Sequence, residues 1–383
     1  PGTTDTTING TNNTQVKVTK AGVIENYSNI VLASYQDSLQ GVKDLQSEIT
    51  KFVNNPTKEG LEAAKAAWLK SRTPYAQTEG YRFYNGPIDR ETGPELRINS
   101  WPLDEVFIDY VEGNKTSGII NDLTTYPTID KNMLKETNQK GGDKNISTGF
   151  HAIEFLLWGQ DLTEGAGAGQ REYTDYLTNG QGTNANQDRR GKYLLASADL
   201  LVEDMQTLVD DWQANKAGNY RDELNKLNPD EALTKILIGA GTLSASELSN
   251  QRMATPLDVG EREEEHSCFS DSTQSDIVHN TKSIDNIILG TYTKTDGSKV
   301  TGASIYNLIN DVKPELAAKI KTQLEASDKL INQIQNPFDQ EIRPDNKEGN
   351  TRVKSAIDAL QAQGITIVEI GSALGLTINT KLE

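Results

Sequence analysis

From Ile24 to Phe52 an apolar side chain recurs at every third or fourth position: Ile24, Tyr27, Val31, Tyr35, Leu39, Val42, Leu45, Ile49 and Phe52. That period puts all of them on one stripe of a long helix and excludes a strand, whose faces alternate every second residue. A stripe of this length has to be covered, so the chain is committed to packing helix on helix. "NNPTKEGL" supplies a turn and a restart, with Thr57 as N-cap. The helix that follows carries Leu61, Ala64, Trp68, Arg72, Tyr75 and Glu79, with Pro74 placed to bend it. A second long stripe begins at Tyr193 and runs through Leu194, Leu200, Leu201, Met205, Leu208 and Trp212. Helical patterning returns over 229–250, 276–292, 302–335 and 349–374. The β-branched "GITIVEI" is a strand candidate, but one isolated strand makes no sheet. The expected class is all-α, most simply as two helical-bundle domains.

The opening "PGTTDTTINGTNNTQ" is rich in Thr, Asn and Gly, and residues 1–20 read as a flexible leader. "NGQGTNANQDRRG" is polar and lacks an apolar period, which sets the expected boundary between a domain over 21–185 and one over 186–383. "LASYQDSLQGVKDLQ" and "LASADLLVEDMQTLV" are weakly alike, as an internal duplication would leave them. Residues 84–148 are rich in Gly, Pro, Asn and Asp. They read as long loops with short helices, a length that is often functional.

The charge and composition exclude some roles. A net charge of −17 argues against nucleic acid, whose phosphates are bound mainly through Lys and Arg. No apolar run is long enough for a membrane-spanning helix. A single cysteine, Cys268, rules out an internal disulfide framework. No basic and apolar leader opens the chain, so an export signal is expected to lie outside this sequence.

Histidine is scarce, at three in 383 residues, yet His151 sits inside the apolar run "STGFHAIEFLLWGQDL" with Glu154 three positions on. On a helix that spacing brings the two side chains to one side, where imidazole and carboxylate can meet one cation. The alternative is a core histidine hydrogen-bonded to Glu154. Gly149 allows another backbone to approach closely. A second constellation is "EREEEHSCFSDSTQSD", where Glu263 and His266 repeat the spacing in reverse, ahead of Cys268, Ser270 and Asp271. Its alternative is a solvated acidic run. Cys268 reads as a buried small hydrophobe, a soft ligand or a nucleophile, and His279 as a surface or capping histidine. Arg72, Tyr75 and Glu79 form a third polar stripe, followed by Tyr81, Arg82 and Phe83.

"GFHAIEFLLWGQD" resembles the Gly-x-His-x-x-Glu signature of the imelysin-like family, which includes the iron-regulated protein A group. "EEEHSCFSDST" is similar to that family's second signature, and "GAGQREYTDY" and "RTPYAQTEGYRFYNGPID" are similar to flanking family segments. The resemblance implies an exported or envelope-anchored bacterial protein of two helical bundles, with its site in the cleft between them. It also implies iron-linked expression and uptake, alongside a founding member described as an insulin-cleaving metallopeptidase. Gly149, His151 and Glu154 match the first signature; His266, Cys268, Ser270 and Asp271 fall in the second. The expectation is iron or another divalent cation, zinc included, on His151, Glu154, His266 and Glu79; the approach of His266 and Glu79 is an inference beyond the signatures. Gly149, Arg72, Tyr75, Arg82, Cys268, Ser270 and Asp271 are expected to line the cleft, with other envelope iron-uptake components as possible partners.

Peptidase activity is the lesser expectation. A zincin helix needs two histidines and a catalytic glutamate, as His-Glu-x-x-His or its inverse. Here Ala152 follows His151 and Phe155 follows Glu154, so the helix lacks its second histidine. Glu154 would be the catalytic residue if the protein were a peptidase. A non-metal module for a peptide or small ligand is the third reading.

Overall fold

The computed structural model describes residues 17–382, so most of the expected leader lies outside the described residues. The first helix, Lys20–Asn54, buries the whole stripe from Ile24 to Phe52, and the Thr19 hydroxyl accepts from the Gly22 N–H at its start. The second, Lys58–Ala76, is capped in the same way by Thr57. Pro74 stands in its last turn, and the α-helix ends there; Glu79 falls in a separate 3-10 turn, Glu79–Tyr81. The helix Gln187–Trp212 and the short helix Gly149–Trp158 pack on these two, completing a first bundle.

The second bundle begins with Pro229–Thr242, which Asn228 caps. It runs on without a break through a π-helical stretch, Leu243–Ala254, into Thr255–Val259. Thr273–Leu289 and Lys347–Ala373 pack on it, and Pro314–Gln333 packs on those two. The run expected over 302–335 is two helices, Ile305–Val312 and Pro314–Gln333, because Pro314 cannot continue the helix before it. "GITIVEI" is helical, inside Lys347–Ala373. The sheet among the described residues is a hairpin of Thr291–Thr293 with Lys299–Thr301, turned at Asp296-Gly297. The class is all-α.

The expected boundary near 180–190 does not coincide with a break in packing. Gln187–Trp212 lies against Lys20–Asn54, so the first bundle draws helices from both sides of residue 185. Two amphipathic stripes cover each other there, and the two segments whose likeness suggested a duplication are neighbours in one bundle. The core is continuous across both bundles. Thr273–Leu289 packs on Lys58–Ala76, and Pro229–Thr242 packs on Lys20–Asn54 and on the turn at Glu79.

Candidate functional site

The helix Gly149–Trp158 is buried on every side, which its nearly unbroken apolar sequence requires. It starts at Gly149 with φ 89°, where a Cβ would stand 2.4 Å from the Ile98 carbonyl oxygen and 2.5 Å from that of Arg97. Only glycine lets the two backbones meet so closely. Within the helix, His151 Nδ1 lies 2.9 Å from Glu154 Oε1. The second carboxylate oxygen of Glu154 accepts from the Ser270 N–H at 2.9 Å and from its hydroxyl at 2.6 Å. Both oxygens of Glu154 are therefore engaged, while His151 Nε2 is buried without a partner.

The loop ahead of Thr273–Leu289 brings His266 to this pair. The two imidazole centres are 4.6 Å apart at 76°, and Trp101 packs edge-on against both. His266 Nδ1 is 3.8 Å from Asp276 Oδ2, too far for a hydrogen bond, and it too is buried without a partner. Asp276 is held by the Arg72 guanidinium, with Nη2 at 3.0 Å and Nε at 3.2 Å, and by the Ser267 hydroxyl. Arg72 Nη1 donates to Asn99 Oδ1 at 2.6 Å, and Asn99 Nδ2 donates to Glu79 Oε1 at 2.9 Å. Glu79 Oε2 accepts from Arg82 Nη1 at 2.8 Å and from Arg252 Nη2 at 3.0 Å. Arg252, from the π-helical stretch, also donates to Asn280.

Burial and neighbouring charge sort the protons of this centre. Burial drives His151 well below the usual histidine range, and the Arg72 charge pushes the same way. Burial and then Arg252 push His266 down to about 3. Burial raises Glu154 to about 8 against the two bonds from Ser270. Burial also opposes ionisation of Glu79, but Arg252 and Arg82 outweigh it and hold that carboxyl at about 2. Asp276 behaves alike: Arg72 overcomes its burial and keeps it far below the usual carboxylate range. At neutral pH the centre holds two neutral imidazoles and a protonated Glu154, beside ionised Asp276 and Glu79 matched to three guanidiniums.

Several expected site residues stand differently. Glu79 is not free to ligate, since Asn99, Arg82 and Arg252 take both its oxygens. Among the described residues, no three of His151, Glu154, His266 and Glu79 bring ligand atoms within 4.8 Å of one another. The helical face expected from Glu263 and His266 does not form: residues 262–264 make a 3-10 turn, Glu265 is extended, and Glu263 is exposed. Arg82 serves Glu79 and Glu95. Tyr75 is buried against Phe150. Cys268 is a buried free thiol whose pKa burial and then the Glu154 charge push up, the opposite of activation. Asp271 turns away from the pair and accepts from the Gly167 N–H at 3.0 Å. With His151 at 1% exposure and Glu154 at 0%, the expected cleft is closed over them. Trp101, Asn99, Asp276 and Arg252 belong to the centre, although no local spacing marks them.

Fold and site together define a class: an all-helical protein built around a buried histidine–glutamate pair on a Gly-x-His-x-x-Glu helix, completed by a histidine from a distant loop. Residues 31–367 match the imelysin family, peptidase M75, and the chain belongs to it. It is 25% identical over 369 residues to Iron-regulated protein A of Synechococcus elongatus, across 93% of this chain and 88% of that one. In fold it is similar to a protein of Parabacteroides distasonis described as an iron-regulated protein A precursor (TM-score 0.69, 19% identity, 92% of this chain and 96% of that one). It is also similar to an imelysin-like protein of Psychrobacter arcticum (TM-score 0.66, 13% identity, 95% of this chain and 99% of that one).

Proposed function

We propose that the protein binds iron or another divalent cation through His151 and His266, and that it serves iron uptake at the cell envelope. One observation carries the reading: His151 Nε2 and His266 Nδ1 are buried ring nitrogens without partners, on neutral rings whose centres are 4.6 Å apart. A buried polar atom left unpaired costs about 1–3 kcal/mol, and a neutral imidazole is the protonation state that ligates. Glu154 fits the part of an orienting carboxylate rather than a ligand. Once ionised it can only accept, which puts the proton on His151 Nδ1 and leaves the Nε2 lone pair free. The likeness to a relative named Iron-regulated protein A supports iron as the cation. No helix among the described residues is long and apolar enough to cross a membrane.

Proteolysis fits less well. His266 supplies the second imidazole that the signature helix lacks, but a peptidase also needs a carboxylate free to act on water. Both oxygens of Glu154 are tied within the protein.

The test is calorimetric titration of the wild type, His151→Ala and His266→Ala with ferrous and zinc ions, with melting curves alongside. Each variant is expected to fold and to lose metal-induced stabilisation. Equal binding by all three proteins would overturn the assignment.

A further inference from the structure

We propose that the carboxylates of Asp161, Glu265, Asp271 and Asp339 form a separate site for a hard divalent cation of the calcium type. Three distant parts of the chain meet there. Asp161 lies just past the end of the signature helix, Glu265 and Asp271 flank the loop carrying His266 and Ser270, and Asp339 sits in the short helix Phe338–Glu341. One oxygen from each of Asp161, Asp271 and Asp339 lies within 4.8 Å of the other two.

Each aspartate is anchored by one oxygen and leaves the other unused. Asp161 Oδ1 accepts from the Thr163 N–H at 3.0 Å and hydroxyl at 2.6 Å, Asp271 Oδ2 accepts from the Gly167 N–H, and Asp339 Oδ1 accepts from Gln340 Nε2 at 3.3 Å. Asp161 Oδ2, Asp271 Oδ1 and Asp339 Oδ2 are buried without any partner. The independent observation is Glu265. It is 0% exposed and neither of its oxygens has a hydrogen-bond donor, and the charges that bear on it most strongly are those of Asp339 and Asp271.

Five carboxylate oxygens of these four groups are thus buried without a partner. Arg262 and Arg343, which line a depression together with Asp339, make no hydrogen bond to any of the four groups; Arg343 is taken by Asp345 and the Glu164 carbonyl. Desolvated like charges are costly unless something positive matches them. All the donors are oxygen, with no imidazole or thiolate among them, which selects a hard cation. Calcium takes 6–8 oxygens, so a bidentate Glu265, three aspartates and water would fill its shell. A surface depression of about 360 Å³, lined by Glu164, Gly260, Arg262, Asp339, Arg343 and Asp345 among others, borders the cluster at Asp339. A cation here would tie 161–167 and 338–341 to both ends of the loop that presents His266 and Ser270. The site does not depend on what the histidine centre binds.

The test uses the full chain, stripped with a chelator and dialysed, then titrated with calcium and with magnesium by calorimetry and thermal melting. The wild type is expected to bind one calcium and to melt several degrees higher when saturated. Asp161→Asn and Asp339→Asn should each weaken calcium binding at least tenfold, while their calcium-free forms melt no lower than wild type, because a crowded charge has been removed. His151→Ala should keep the calcium response. If the stripped wild type shows no calcium-dependent shift, the four groups share protons instead and the proposal is wrong. A response that both Asn variants retain in full would place the cation elsewhere and overturn it equally.

Discussion

The imidazole of His266 stands 4.6 Å from that of His151, ring centre to ring centre, and neither ring carries a charge at neutral pH. The contact joins the signature helix to a loop far along the chain. Around it the ionised carboxylates, Asp276 and Glu79, are matched by arginines, while Glu154 keeps its proton. The centre therefore responds to pH through carboxyl groups rather than through its histidines.

Glu154 should make the metal-free protein lose stability as pH rises. Its carboxyl titrates near 4.5 when unfolded and at about 8 when folded, so the folded chain holds a proton that the unfolded chain has already released. Stability from this group is complete below about pH 4.5 and declines up to about pH 8, by about 1.4 kcal/mol per unit at most. Glu154→Gln keeps the shape and stays neutral, so its melting temperature in chelator should fall less between pH 5 and 8. Parallel curves for the two proteins would show that Glu154 is ionised throughout.

The same proton sets the pH dependence of cation binding under the proposed function. Binding at His151 Nε2 requires Glu154 to ionise, so affinity should strengthen up to about pH 8 instead of levelling off near 6.5, the ordinary histidine value. A titration series that plateaus by pH 7 would remove Glu154 from the linkage.

Glu79 has the opposite sign. Arg252 and Arg82 hold its folded pKa at about 2, so its contribution is present above pH 4.5 and is lost as pH falls towards 2. Glu79→Gln removes the closest counter-charge of the buried Arg252 and the partly exposed Arg82, leaving them Glu247 and Glu95, and should cost about 3 kcal/mol at neutral pH. Urea denaturation measures this directly; a cost under about 1 kcal/mol would mean that the arginines find other partners.

Gly149→Ala should be severe for a position with no side chain. A Cβ there meets two carbonyl oxygens at 2.4 and 2.5 Å on a backbone with φ 89°. A loss of at least about 2 kcal/mol is expected, with displacement of the segment that ends in Asn99. Near-wild-type denaturation would show that the helix start relaxes without cost.

Asp109 separates stability from the site. It accepts from Arg190 Nε at 2.8 Å and Arg171 Nη1 at 3.2 Å, all three side chains being buried. Asp109→Ala should cost about 3–5 kcal/mol and leave cation affinity unchanged in the fraction that folds. A lost binding site in folded protein would connect this triad to the histidine centre.

The parts of the centre legible in the sequence are those that helical spacing makes neighbours. His151 and Glu154 lie one turn apart, so their contact follows from local geometry once the segment is helical. Ser270 stood out only within a motif; that its N–H and hydroxyl both reach Glu154 depends on how a loop folds back. Glu79 looked like a ligand because it continued a polar stripe, but Pro74 ends that helix and Arg252, from a different bundle, claims the carboxylate. The hairpin at 291–301 did carry a signal, alternating residues around Asp-Gly, yet strands this short are easily absorbed into the helical patterns on either side.

By itself the sequence determined the class and the long helices, because a period near 3.6 sustained over many residues permits only helix packing on helix. It also determined the His151–Glu154 pair, for the same local reason. Only the tertiary structure decided which stripes cover one another, and so placed Gln187–Trp212 beside Lys20–Asn54 across the expected boundary. Apolar faces are interchangeable in kind and select partners by shape. The charged neighbours of the centre were decided the same way, since Arg72, Asp276, Asn99 and Arg252 meet only after distant helices dock. Their protonation follows from that shared burial, which no stretch of sequence contains.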